Sequence, residues 1–162
     1  MIELEPVIRS LVENNVEFVI VGGVADSHYG SSYVTQDLDF CYSRASENIK
    51  KIVTALSAFD PRLRDFPADL PFIFDEETLL NGTNFTFDTA QGDVDLLGEV
   101  AGVGSYPEVL QNSVEVTMFD LIVRILTLKS LIAAKKAAGR TKDLLVLPEL
   151  ETLLELQNKD DE

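Results

Sequence analysis

The amino-acid sequence predicts an α/β (α+β) chain in which strands and helices interleave and the C-terminal end is helical. Three observations carry that prediction. Apolar, β-rich runs such as Phe18-Val19-Ile20-Val21 alternate with segments of helical period. A glycine pair, Gly22-Gly23, ends the first such run where a helix can begin. Beyond Thr127 the pattern reads as helix, with a break between 138 and 142.

Each element has a local reason. In residues 2–14, Leu4, Val7, Ile8, Leu11 and Val12 recur on one stripe, the mark of an amphipathic helix. Residues 17–21 form a short strand, the glycines break it, and residues 24–29 start a helix. Residues 36–42 read as a second strand and 45–59 as a second packing helix. Residues 60–71 contain Pro61, Pro67 and Pro71 and are expected to be irregular, and 75–81 suits a short helix. Residues 84–88 and 92–97 flank Thr89-Ala90-Gln91 as a hairpin. Residues 113–119 and 121–126 form another strand pair around Asp120, Thr127 caps a helix reaching Ala138, and a last helix covers 142–157. The expected organisation is a single domain over 1–158 and a frayed acidic tail, Lys159-Asp160-Asp161-Glu162.

The chemistry concentrates in carboxylates. Residues two apart on a strand project from one face, so Asp37 and Asp39 point together while Leu38 and Phe40 face the other way. Adjacent carboxylates repel unless a cation lies between them, and Mg²⁺ takes oxygen ligands of this kind. A half-exposed strand with both acids in water is the other reading of the pair. Asp95 lies among Val94, Leu96 and Leu97, and an acid in an apolar strand is costly to bury without a cation. Asp93, nearer the turn, reads as a solvated or turn-capping acid. Gly22-Gly23 lets the main chain approach a ligand with no Cβ in the way, at the end of a helix dipole that favours a di- or triphosphate. A simple tight turn would use the same glycines.

In chain order, Gly22-Gly23, Thr35-x-Asp37-x-Asp39 and Asp93-Val94-Asp95-Leu96-Leu97 resemble the nucleotidyltransferase superfamily typified by DNA polymerase beta. Leu131-Ile132-Ala133-Ala134-Lys135 and Ala138-Gly139-Arg140-x-Lys142-Asp143-Leu144 resemble its small bacterial branch that includes the AbiEii-type toxins. The resemblance implies a mixed, twisted sheet flanked by helices, with C-terminal helices closing a nucleotide cleft. It implies that Gly22 and Gly23 lie against the triphosphate of a nucleoside triphosphate and that Lys135 helps to hold it. It also implies that Asp37, Asp39 and Asp95 bind Mg²⁺ (or Mn²⁺) and are catalytic. The implied reaction is attack of a hydroxyl on the α-phosphate, with pyrophosphate leaving and Asp95 orienting the attacking hydroxyl. Three departures stand out: Ser31-Ser32-Tyr33-Val34 fills a region where the branch often has an arginine, Val146 stands where a further acid is common, and Asp26 brings a negative charge beside the glycine turn.

Composition narrows the function. Hydrophobic residues make up 46% of 162 residues, enough for a real core. The formal net charge is −15, with 13 Lys plus Arg against 28 acids, which disfavours direct nucleic-acid binding by the lone chain. The acceptor expected from this reading is a hydroxyl on a protein, a small molecule or an RNA end. The basic concentration is Lys129, Lys135, Lys136, Arg140 and Lys142, which reads as a solvated helix face and, at Lys135, as a polyphosphate grip. With a single histidine, His28, zinc or histidine-based hydrolase chemistry has little to build with. Tyr29 and Tyr33 either stack on a nucleobase or cover a helix edge. The one cysteine, Cys41, fits strand packing in a reducing cytoplasm, and the N-terminus reads as neither signal peptide nor membrane anchor. The reading from a different class is a non-catalytic nucleotide-binding or regulatory protein of a toxin–antitoxin-like pair, with a protein partner.

Overall fold

The structure, a computed structural model, describes residues 1–160. Helix α1 (Leu4–Glu13) leads into strand β1 (Phe18–Val21), all of whose residues are buried. Helix α2 (Gly22–His28) starts directly after the last strand residue, so the glycine pair expected to precede the helix lies in its first turn. Strand β2 (Asp37–Tyr42) and helix α3 (Ser46–Ser57) follow. The proline-rich stretch is irregular except for strand β3 (Arg62–Leu63), and helix α4 (Glu76–Leu80) is capped by Asp75, whose carboxylate accepts from the Thr78 N–H at 3.0 Å. Strands β4 (Asn84–Thr89) and β5 (Gly92–Leu97) form the expected hairpin, closed by Ala90 and Gln91.

Next come strands β6 (Glu99–Val100) and β7 (Gly104–Ser105) and helix α5 (Tyr106–Gln111), in a stretch where the sequence pattern shows no clear period. Strands β8 (Ser113–Met118) and β9 (Leu121–Leu126) form a second hairpin whose turn residues, Phe119 and Asp120, have φ of 55° and 62°. Helix α6 (Leu128–Ala138) begins at Thr127, whose hydroxyl accepts from the Ser130 N–H, and ends at Gly139 with φ of 64°. Helix α7 (Thr141–Asp160) includes Lys159 and Asp160, which the sequence assigns to the frayed tail. The remainder of that tail, residues 161–162, lies outside the described residues.

The main sheet has seven strands in the order β3-β4-β5-β2-β1-β9-β8. It is mixed: β2 runs parallel to β5 and β1 to β9, while the other neighbours are antiparallel. Leu38, Phe40, Val94 and Leu96 share one face and are fully buried. Val7, Ile8 and Leu11 of α1 and Ile49, Ile52 and Leu56 of α3 belong to the same core. Each of these larger side chains contributes about 1.5–3 kcal/mol on leaving water, which holds the strands rigid beneath the opposite face. A smaller apolar cluster of Leu128, Ile132, Val146, Leu147 and Leu150 joins α6 to α7, with Tyr29, the residue after α2, packed against it. Among the described residues no helix is long and apolar enough to cross a membrane.

Candidate active site

Strand register assembles the carboxylates. Because β2 and β5 are parallel neighbours, Asp39 is paired with Asp95 and Asp37 with Asp93. One ligand oxygen from each of Asp37, Asp39 and Asp95 falls within 4.8 Å of the others. The Oδ1 atoms of Asp39 and Asp95 are buried with no hydrogen-bond partner. Burial, reinforced by Asp95 and then Asp37, pushes the Asp39 carboxyl up to about 8. A hard divalent cation suits this set, since it takes oxygen donors only and supplies the positive charge that the unpartnered oxygens lack. Asp93, expected to be solvated or to cap the turn, keeps its side chain 41% exposed and pairs with Arg64 at 3.0 Å, and Arg64 also reaches Asp88 at 3.3 Å. That guanidinium sits at the edge of the acidic face.

The glycine pair answers to β2. Gly22 has φ of 67°, and a Cβ there would collide with the Asp39 carboxylate. A Cβ on Gly23 would lie 2.7 Å from the Thr35 hydroxyl. These two glycines therefore let the start of α2 lie directly on Asp39 and on Thr35, just ahead of β2. Thr35 in turn donates its hydroxyl proton to the Asp37 carbonyl at 2.9 Å, bracing the entrance to β2.

Lys135, on the last turn of α6, reaches the same region. Its Nζ lies 3.4 Å from Asp26 Oδ2 and 3.8 Å from Asp143 Oδ1, with the Lys135 side chain 17% exposed. Asp26 thus turns toward Lys135. Asp143 is held by Arg140, whose Nε donates to Oδ2 at 2.7 Å and whose Nη2 donates to Oδ1 at 3.2 Å. Burial pushes the Asp143 carboxyl up, but its bonds to Arg140 win and hold it below the usual carboxylate range. Two cavities meet at Asp39, Lys135, Arg140 and Asp143. One, of about 220 Å³, has apolar walls from Val21, Leu97, Val100, Leu126 and Leu131. The other, of about 280 Å³, is polar, with Gly23, Thr35, Asp37 and Lys142 on its walls and Tyr33 at its rim.

Two solved structures share this architecture over nearly the whole chain. A Thermotoga maritima protein provisionally assigned as a nucleotidyltransferase, TM1012, superposes with a TM-score of 0.54 at 14% identity, over 98% of this chain and 96% of its own. The antibiotic-resistance factor ANT(2'')-Ia gives a TM-score of 0.51 at 13% identity, over 98% of this chain and 94% of its own. The chain has the nucleotidyltransferase fold. No protein-family model matches the sequence, and no curated protein matches it either.

Within this nucleotidyltransferase fold, the structure brings together all six residues named from the sequence. Asp37, Asp39 and Asp95 cluster, Gly22 lies against Asp39 and Gly23 against Thr35, and Lys135 shares cavity walls with Asp39. Arg140, which the sequence reads as part of a solvated basic helix face, is exposed and also lines both cavities. The signal for the latter was Gly139, which ends α6 and turns the next residue back toward the cleft. Lys129, Lys136 and Lys142 are exposed as expected of a solvated face, and Lys136 pairs with Glu151 at 3.4 Å. Tyr29 covers a helix edge: its hydroxyl donates to the Leu126 carbonyl at 3.0 Å. His28 is exposed, its ring edge-on to Tyr29 at 5.5 Å. Cys41 is fully buried, as strand packing requires.

Proposed function

We propose that this chain is a Mg²⁺-dependent nucleotidyltransferase that moves a nucleoside monophosphate from a nucleoside triphosphate to a hydroxyl acceptor and releases pyrophosphate. The observation that carries the reading is the Asp37, Asp39, Asp95 cluster, with its buried, unpartnered oxygens, beside cavities that share Lys135 and Arg140. Asp37, Asp39 and Asp95 hold the metal. A bound Mg²⁺ or Mn²⁺ supplies charge neutralisation and Lewis acidity at the phosphate. Asp95 orients the acceptor hydroxyl and takes its proton as the hydroxyl oxygen bonds to the α-phosphorus. The bond from that phosphorus to the bridging oxygen of the pyrophosphate breaks, and Lys135 and Arg140 neutralise the charge that builds on the leaving group. Gly22 and Gly23 leave the main chain open on the triphosphate side.

The acceptor belongs to a protein, a small molecule or an RNA end, and the net charge of −15 puts RNA last unless a partner supplies a basic surface. The reading places the activity in a single domain over 1–158, in the cytoplasm and in the AbiEii-like branch. One observation favours the non-catalytic alternative, a nucleotide-binding or regulatory member of a toxin–antitoxin-like pair. Lys135 already has carboxylates on two sides. Incubation with each α-phosphate-labelled nucleoside triphosphate, Mg²⁺ or Mn²⁺, and cell extract decides between them. Label should pass to an acceptor with the wild type and not with Asp37→Asn/Asp39→Asn. No transfer, with nucleotide binding equal in the two proteins or absent from both, would overturn the two-metal reading and leave the non-catalytic one.

A further inference from the structure

The two carboxylates around Lys135 are not equivalent, and the difference bears on how the nucleotidyltransferase reading above would work. Asp143 is satisfied without Lys135. Besides the two side-chain bonds from Arg140, the Arg140 backbone N–H donates to Asp143 Oδ2 at 3.1 Å. Asp26 has no comparable support. Its Oδ2 faces Lys135 Nζ at 3.4 Å, its Oδ1 is buried without a hydrogen-bond partner, and its side chain is 6% exposed. Burial raises its carboxyl while Lys135 pulls it down, and Asp143 and Glu149 add further negative charge nearby.

A buried acid with a single ionic partner is costly, and an apolar residue of similar size would pack this helix more simply. Helix packing alone therefore gives no reason for the acid. Its ion pair spans two elements that border the site: α2, which begins at the glycine pair, and α6, which follows β9. We propose that Asp26 is a positioning residue for Lys135. It anchors the ammonium on the wall shared by the two cavities, so that an entering phosphate meets a charge already oriented and pays little to order a long, flexible side chain.

The probe is inorganic tripolyphosphate with Mn²⁺, which represents the part common to all nucleoside triphosphates, titrated calorimetrically into the full chain. Removing an acid makes the surroundings more positive, so charge alone predicts tighter binding by Asp26→Asn. Positioning predicts the opposite, a loss of about tenfold. It further predicts recovery of most affinity in Asp26→Glu and no added loss when Asp26→Asn is combined with Lys135→Gln. Unchanged or tighter binding by Asp26→Asn, or an equal loss in the Lys135→Gln background, overturns the proposal. Absence of binding by the wild type overturns the nucleotidyltransferase reading together with this inference, whereas wild-type binding that ignores Asp26→Asn overturns this inference alone. Circular dichroism checks the fold of each variant, and Asp26→Ser takes the place of Asp26→Asn if the latter does not fold.

Discussion

Asp39 of β2 and Asp95 of β5 stand opposite each other on adjacent parallel strands, and each keeps one oxygen buried without a hydrogen-bond donor. Two carboxylates so placed cannot both be charged at low cost. Either a proton or a cation must lie with them.

Metal binding should therefore stabilise the protein. Mn²⁺ or Mg²⁺ is expected to raise the melting temperature of the wild type and to leave Asp37→Asn/Asp39→Asn unchanged. Without metal, Asp39→Asn should be as stable as the wild type or more so, by about 1–3 kcal/mol, because a buried carboxyl that must hold either a proton or a charge beside Asp95 is gone. Thermal melts with metal and with chelator check both statements. A wild type indifferent to metal would sink the cation site.

Metal-free stability should fall as pH rises. The Asp39 carboxyl titrates near 3.8 when unfolded and about 8 when folded, so the native state holds the extra proton between those values. Native protons exceed unfolded ones in that window, which makes the slope of stability against pH negative there. This contribution is complete below about 4 and gone above about 8. Burial raises the Asp26 carboxyl as well, with the same sign. Chemical denaturation of chelated protein from pH 5 to 8 should show the decline, and Asp39→Asn should flatten it.

Substitution of the glycines should separate site strain from turn strain. Gly22→Ala forces a side chain into the left-handed region and into the Asp39 carboxylate, so it should cost more than about 1 kcal/mol and impair metal stabilisation. Gly139→Ala meets a similar φ of 64° with nothing closer than 3.7 Å to its Cβ. It should cost only about 1 kcal/mol and leave the metal response intact. Equal effects of the two alanines on metal response would contradict the close approach at Gly22.

Cys41 should be silent toward thiol reagents in the native state. The residue is fully buried, and burial pushes its thiol up to about 12, so both access and thiolate are lacking. Reaction with a disulfide reagent should wait for unfolding and follow the denaturation curve. Rapid labelling under native conditions would show that β2 opens locally.

The amino-acid sequence determined the parts of this protein whose signals are local. Strand alternation fixed which way Asp37 and Asp39 point, the apolar neighbours marked Asp95 as an acid needing a partner, and Gly22-Gly23, Thr127 and the residue pattern of 2–14 marked element boundaries. Only the tertiary structure decided which of these residues meet. The parallel pairing of β2 with β5 sets Asp39 against Asp95, and no periodicity within either strand specifies that neighbour. The ion pairs of Asp26 with Lys135 and of Arg64 with Asp93, and the return of Arg140 into the cleft, likewise join elements or depend on the turn between them. The short β6, β7 and α5 stayed hidden because elements of two to six residues are held by their contacts rather than by a period of their own. Local chemistry chose the residues, and the packing of strands and helices, which depends on contacts far apart in the chain, made them a site.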